Sequence, residues 1–301
     1  MPRSLSLATC LTLVLLPGSL ARADNDSPAF KSVQSVLGRE GKVDNGILRL
    51  TYARDDLGDV TIGGDKVDPG LVYESWFGFM PMGNSTMMMG DFCLSEKELP
   101  QVQRFIVENG FSVAAVHNHV VDESHRMMFM HVSAHGDAQK LAETIKGALA
   151  KTTTPTGKEE EEKPAAVDWS AAQKVLGKPD EVEGPKVEFV FPRADQIKVH
   201  GMAIPSTSGF ETADEAAFQM VGNGQAVAYA EFLLKPDELD ATIRTFSKAG
   251  FVVNAVHNHM TDDEPRMIFI HAWGKGDLSK LAQTVSDALK QSDTQFRKAH
   301  P

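Results

Sequence analysis

Six histidines at a repeated spacing are the residues of this chain best suited to chemistry. Positions 110–145 read GFSVAAVHNHVVDESHRMMFMHVSAHGDAQKLAETI, and positions 250–285 read GFVVNAVHNHMTDDEPRMIFIHAWGKGDLSKLAQTV. The two stretches align at a constant offset of 140 residues without a gap, and 19 of the 36 positions are identical. That is a duplicated unit rather than a shared propensity. His117, His119 and His131 recur as His257, His259 and His271, whereas His125, His135, His200 and His300 have no counterpart. Neutral imidazole is a common ligand for transition metals. Alternate residues of a strand share a face, so His117 and His119 project together. An antiparallel return through 121–125 brings His131 to that face, with His117 opposite position 129 or 131 and paired Cβ atoms about 5 Å apart. The spacing therefore predicts one three-histidine metal site per half, or one composite site where the halves meet. All-imidazole ligation suits a divalent transition metal, Zn or Cu.

Two other readings use the same residues. In a metal-dependent hydrolase or lyase, metal-bound water would be the nucleophile, with an acid or base nearby. Asp91 and Glu231, a carboxylate kept in both copies on the neighbouring strand, are the catalytic candidates, although such groups are mostly solvated strand-end carboxylates. In a metal-free module the histidines would hydrogen-bond a small ligand or an envelope partner. Arg126 and Arg266 would then anchor an anionic group, or else cap the turn with Asp122 and Asp262. The methionines, 13 in all, read as core filling before they read as Cu(I) ligands. His-Asn-His spells the name of a nuclease motif whose residues are well separated in sequence, and this acidic chain does not fit it. HNHVVDE matches part of a cupin motif, but cupins are all-β and helices interrupt the strands here. No Gly-x-Ser-x-Gly, phosphate loop or dinucleotide fingerprint is present.

Each histidine unit needs a scaffold, and the chain supplies one twice. A helix over 29–37 closed by Gly38 is echoed over 170–176 by one closed by Gly177. The offset there is 139, so one residue is gained between the copies. Strands follow over 47–52 and 187–191, each running into an Arg-x-Asp element, and then over 60–62 and 197–199. Gly63-Gly64 and His200-Gly201 are hairpin turns. Strands over 73–80 and 86–94, echoed over 216–221 and 227–234, lead into helices starting at Ser95 and Pro236. The histidine strands are expected over 111–120 and 126–134. A last helix in each copy is capped by Asp137 or Asp277. Val116, Met128, Met130 and Val132, with Val256, Ile268 and Ile270, form an aliphatic face for covering helices. The histidines then lie on the uncovered face. The fold class is α+β: two homologous domains, each an antiparallel sheet with helices packed on one face.

Domain bounds follow from composition. Residues 1–23 read as a signal peptide, with Arg3, an apolar run from Leu5 to Leu16, and a cut after Ala23 in Ala21-Arg22-Ala23. The first repeat domain spans 28–150 and the second 167–293. Between them, 151–166 is a charged flexible linker with four consecutive glutamates. The expected location is periplasmic or secreted, with no transmembrane segment in the mature chain. A net charge of −11 excludes a general nucleic-acid binder. Cys93 is the one cysteine after the predicted cut, so no internal disulfide is available.

The repeated Gly-Phe-x-Val-x-Ala-Val-His-Asn-His stretch, the Arg-Met-x-Phe-x-His strand and the Gly-Asp-x-x-Lys-Leu-Ala helix start resemble the LppY/LpqO family. That is a bacterial group of exported proteins and lipoproteins without an assigned function. The resemblance spans nearly all of the mature chain and implies an envelope protein of two related halves. Cys10 lies inside the apolar run rather than after it, unlike the lipobox cysteine of the lipoprotein members.

Overall fold

The computed structural model describes residues 27–157 and 163–299. The expected signal peptide and the glutamates at 159–162 lie outside the described residues. In the first half the order is α1 (Pro28–Leu37), β1 (Lys42–Asp44), β2 (Ile47–Ala53), β3 (Val60–Ile62), β4 (Asp65–Val67), β5 (Glu74–Met82), β6 (Ser85–Ser95), α2 (Leu99–Glu108), β7 (Ser112–His117), β8 (Met127–Gly136) and α3 (Ala138–Leu149). The second half repeats it with α4 (Ser170–Leu176), β9 (Glu181–Glu183), β10 (Lys186–Pro192), β11 (Ile197–Val199), β12 (Met202–Ile204), β13 (Ala213–Gly222), β14 (Gln225–Leu234), α5 (Pro236–Lys248), β15 (Val252–His257), β16 (Asp263–Glu264), β17 (Ile268–Gly276), α6 (Leu278–Leu289) and α7 (Gln295–Ala299). Each half is an antiparallel sheet of six strands, ordered β1-β2-β5-β6-β8-β7 and β9-β10-β13-β14-β17-β15, with helices on one face. The α+β reading of two similar halves holds.

Alternation explains the layering. Even-numbered Phe92, Leu94, Met130 and Val132 pack under α1, α2 and α3 with Leu141, Ala142 and Ile145, and the second half repeats this core with Phe232, Leu234, Ile270 and Ala272. Burying each large side chain contributes about 1.5–3 kcal/mol. The predicted aliphatic face is not wholly covered: Val116 and Val256, on the edge strands β7 and β15, stay exposed. Among the described residues no helix is long and apolar enough to cross a membrane.

The opposite faces of the two sheets meet each other. One shared core joins Trp76, Met87 and Met89 of the first half to Ile197, Val199, Leu233 and Phe269 of the second. Another joins Val60, Ile62, Cys93 and Phe129 to Val227 and Tyr229. The small hairpins β3–β4 and β11–β12 thus lie in the two shared cores. Gly63 and Gly64, at φ 57° and 83°, and His200 and Gly201, at 50° and 75°, give their two-residue turns the positive φ values of a type I′ geometry. The gained residue sits at the β13–β14 turn, where the register slips between Met220 and Gly222.

The Arg-x-Asp elements prove structural. Buried Arg54 donates to the Cys93 carbonyl (2.9 Å) and pairs with Asp56 and Glu98. Arg193 makes the same set with Leu233, Asp195 and Glu238. Thr153 donates its backbone N–H to Glu98 Oε1 (2.7 Å), so the start of the 151–166 segment is pinned to the first half. Helix α2 begins at Leu99 rather than Ser95, because Ser95 and Glu98 instead close a turn ahead of it. Asp137 and Asp277 do cap α3 and α6, accepting from Lys140 and Lys280 N–H at 3.0 and 3.1 Å. Asp277→Ala should lower the unfolding free energy by about 1 kcal/mol in urea denaturation, with the m-value unchanged.

Candidate metal centre between the two sheets

Strand register sets the histidines. Between β7 and β8, His117 pairs with Phe129 and Ala115 with His131, and a bulge between Val113 and Ala115 absorbs one residue. The second half copies this: His257 pairs with Phe269, Ala255 with His271, and the bulge lies between Val253 and Ala255. Both histidine strands stop earlier than the alternation suggests, at His117 and His257. In the first half the Asn118 side chain donates to the Val120 carbonyl (3.0 Å) just past the strand end, whereas the matching Asn258 accepts from Arg266. His119 therefore projects from a loop. It still reaches the predicted face, because its ring stacks on Phe129 with centroids 3.3 Å apart, as His259 does on Phe269.

The two sets of three interleave into one layer. His117 stacks on His257 with centroids 3.6 Å apart, His131 lies 3.6 Å from His259, and His119 lies 4.2 Å from His271. His271 Nε2 stands 2.8 Å from His257 Nε2 and 3.2 Å from His117 Nε2. Within the first half, the His117 and His131 rings are parallel with centroids 4.9 Å apart. Among the described residues, three all-imidazole sets have ligand atoms within 4.8 Å of one another: His117–His131–His257, His117–His119–His271 and His257–His259–His271. Two of the three draw on both halves. The composite arrangement is thus the one the first half's histidines enter, and the three of that half alone do not form such a set.

Burial fixes the protonation state. His119, His131, His259 and His271 are pushed well below the usual imidazole range by burial first and by neighbouring histidines second. His117 is depressed for the same reasons, and burial brings His257 down to about 4. All six rings are neutral at pH 7, which leaves each with a lone pair to offer. His119 and His259 have no hydrogen-bond partner of normal geometry at either nitrogen, and neither has His117 Nδ1 or His131 Nε2. Buried polar atoms left this way cost about 1–3 kcal/mol each, a cost that coordination would remove. The donor set fits a transition metal.

Asp91 and Glu231 lie inside this layer rather than at a solvated strand end. Asp91 pairs in register with His131 and Glu231 with His271. Asp91 Oδ2 is 3.4 Å from His119 Nε2 and 3.6 Å from His131 Nε2. Glu231 spans His259 Nε2 and His271 Nδ1, both at 3.5 Å. Burial raises both carboxyl groups well above their usual range, and Glu211 raises them further. Two neighbours were not readable from the repeat. The Tyr229 hydroxyl is 2.6 Å from His271 Nδ1 and orients that ring, but its counterpart is Met89. Glu211 lies 3.7 Å from His259 Nδ1, but its counterpart is Val72. A search for shared residues passes over both.

The arginines serve the loops. Arg266 holds Asp263 (2.9 Å) and Asn258 (2.8 Å) rather than Asp262, which pairs with His200 (2.9 Å). Arg126 faces Glu96 at 3.6 Å rather than Asp122. An open groove of about 520 Å³, lined by Asp55, Lys66, Asp68, Pro185 and Gln219 among others, lies along another part of the seam and includes none of the six histidines.

No curated protein matches this chain significantly. Two solved structures are similar over most of their length. EtuB from Clostridium kluyveri is 12% identical over 83% of this chain and 88% of its own, with a TM-score of 0.19. The double-ringed trimeric shell protein MSM0271 from the RMM microcompartment is 10% identical over 80% of this chain and 93% of its own, with a TM-score of 0.20. Neither likeness is close enough to carry an argument. A family model is decisive instead: that of the Domain of Unknown Function (DUF1259) matches residues 31–151 and again 170–291, once for each half. The chain therefore belongs to the DUF1259 family and carries its domain twice.

Proposed function

We propose that this is an exported envelope protein that binds a divalent transition metal, zinc or copper, in the histidine layer between its halves. The observation that carries the reading is the three all-imidazole sets whose ligand atoms lie within 4.8 Å of one another. Within one of them His271 Nε2 stands 3.2 Å from His117 Nε2, close to the spacing of about 3.3 Å between two nitrogens bound to one tetrahedral zinc. Export draws support from Arg3, the apolar run and Ala21-Arg22-Ala23, and from the likeness to the LppY/LpqO group. N-terminal sequencing of protein from the periplasm or medium should then begin at Asp24.

A metal-dependent hydrolase or lyase takes support from Asp91 and Glu231, since a raised carboxyl can donate a proton at neutral pH. Against it, His119, His131, His259 and His271 are all buried, and a substrate would have to part the two sheets to reach them. Metal binding without turnover is the reading the geometry favours. The test is metal analysis of untagged protein. Wild type should carry about one equivalent, and the His117/His271→Ala variant, which breaks all three imidazole sets, less than about a tenth of that, given the 10- to 100-fold losses seen even for outer partners. Equal trace metal in both sinks the proposal. Ligand binding that survives chelation would point to the metal-free module instead.

A further inference from the structure

The two halves differ most where the layer runs out behind His259. Strand register makes the comparison direct. Trp76 pairs with Asp91 in the first half as Glu215 pairs with Glu231 in the second, and Arg49 pairs with Gly78 as Glu188 pairs with Ala217. Val72 follows the turn Pro69–Leu71 as Glu211 follows Ser208–Phe210. The first half thus holds one inward carboxylate, Asp91. The second holds Glu188, Glu211, Glu215 and Glu231 at the matching places. One guanidinium, that of Arg49 from the other half, reaches in to Glu211 Oε1 at 2.9 Å while lying over Trp76.

A single cation balances such a group only in part. Glu211 and Glu231 are 8% and 6% exposed, and His259 only 2%. Both His259 nitrogens lack a hydrogen-bond partner, and each faces a carboxylate: Nδ1 is 3.7 Å from Glu211 Oε2, and Nε2 is 3.5 Å from Glu231 Oε1. Glu231 Oε1 and Glu215 Oε1 are likewise buried and unpartnered. One ligand atom from each of Glu211, Glu231 and His259 falls within 4.8 Å of the others. The donors are two oxygens and one nitrogen, which is a different chemistry from the imidazole sets. Carboxylates favour harder cations such as manganese, and mixed carboxylate–histidine sets also take ferrous iron.

We infer that Glu211, Glu231 and His259 form a second cation site, specific to the second half and selective for a harder divalent ion of the manganese or ferrous class. Arg49 holds the Glu211 carboxylate in place as an outer partner. The site goes beyond the imidazole centre, although His259 belongs to both donor sets, and Glu211 belongs to this one alone.

Manganese itself is the probe. Full-length protein would be stripped with a chelator, reloaded with one equivalent of zinc, and titrated with Mn2+ while free Mn2+ is followed by electron paramagnetic resonance. Wild type should bind one Mn2+ beyond the zinc. Glu211→Gln should weaken Mn2+ at least tenfold and keep zinc, whereas His117→Ala, which breaks two of the three imidazole sets, should weaken zinc and keep Mn2+. Manganese retained in a wild type that takes no zinc supports this site while refuting the imidazole centre. Unchanged Mn2+ affinity in Glu211→Gln overturns the inference, as does loss of one and the same ion in both variants. A second measurement needs no variant: bound Mn2+ in wild type should show magnetic coupling to an imidazole nitrogen. Its absence, or absence of Mn2+ binding, would mean that Glu211 and Glu231 merely share a proton.

Discussion

Changing His271 to alanine is expected to break two of the three imidazole sets and to remove most of the zinc affinity of the histidine layer. Its Nε2 touches the His117 and His257 nitrogens at once, and its Nδ1 is held by the Tyr229 hydroxyl. It enters two of the three imidazole sets, one confined to the second half and one drawn from both. The ring is wholly buried, so no water-exposed residue can replace it. Zinc affinity should fall at least 100-fold, read by competition with a chromogenic chelator. Tyr229→Phe, which removes only the outer partner, should cost roughly 10- to 100-fold. The graded pair separates coordination from simple damage to the core, because Tyr229→Phe keeps the packing volume. Should His271→Ala retain the zinc affinity of wild type, a centre built on His271 is untenable. A Tyr229→Phe protein equal to wild type would show that the hydroxyl does not orient the ring.

Acid should unfold this protein through its buried histidines. An unfolded histidine takes up a proton near pH 6.5, at its ordinary pKa. The folded His257 does so only at about 4, and the other five are depressed in the same direction by burial. Between those limits the unfolded chain binds more protons than the folded one, so stability falls as pH falls. The contribution is fully present above pH 6.5 and is lost as pH drops toward 4. His257 alone accounts for about 3–4 kcal/mol, and the slope is about 1.4 kcal/mol per pH unit for every such histidine. Asp91 and Glu231 act with the opposite sign. Their raised values give stability that is present below the usual carboxylate pKa and is lost as pH rises through the folded pKa. Glu188, Glu211, Asp214 and Glu215 are raised as well and share that sign, so the carboxyls offset the histidines down to the ordinary carboxylate range near about pH 4. Below it the histidines act unopposed, and urea midpoints measured from pH 8 to pH 3 should drop most steeply there. A flat profile in that last stretch would mean that the histidines are not buried neutral. Bound metal should steepen the same fall, since protons compete for its ligands.

Much of the scaffold was legible because its signals are local. Gly63-Gly64 and His200-Gly201 can only be tight turns of positive φ, and Asp137 and Asp277 follow glycines where a cap belongs. Failures were local too. The histidine strands end at His117 and His257, earlier than alternation alone would extend them; past the first, the Asn118 side chain bonds the Val120 carbonyl, and past the second, Asn258 accepts from Arg266. Val116 and Val256 look like core by periodicity, yet they sit exposed on the edge strands of the two sheets.

By itself the sequence determined that two like units exist, and that in each the histidines share one face. Both follow from repetition and from the two-residue period of a strand. Only the tertiary structure decided what that face meets. The closest contacts join His117 to His257, His131 to His259 and His119 to His271. They pair positions from different halves, and no periodicity within a strand encodes a contact between sheets. Glu211 and Tyr229 enter for the same reason: they have no like residue in the other copy, and packing alone brings them to the histidines. Face-to-face burial makes six neutral imidazoles into one centre, because it removes water from all of them together.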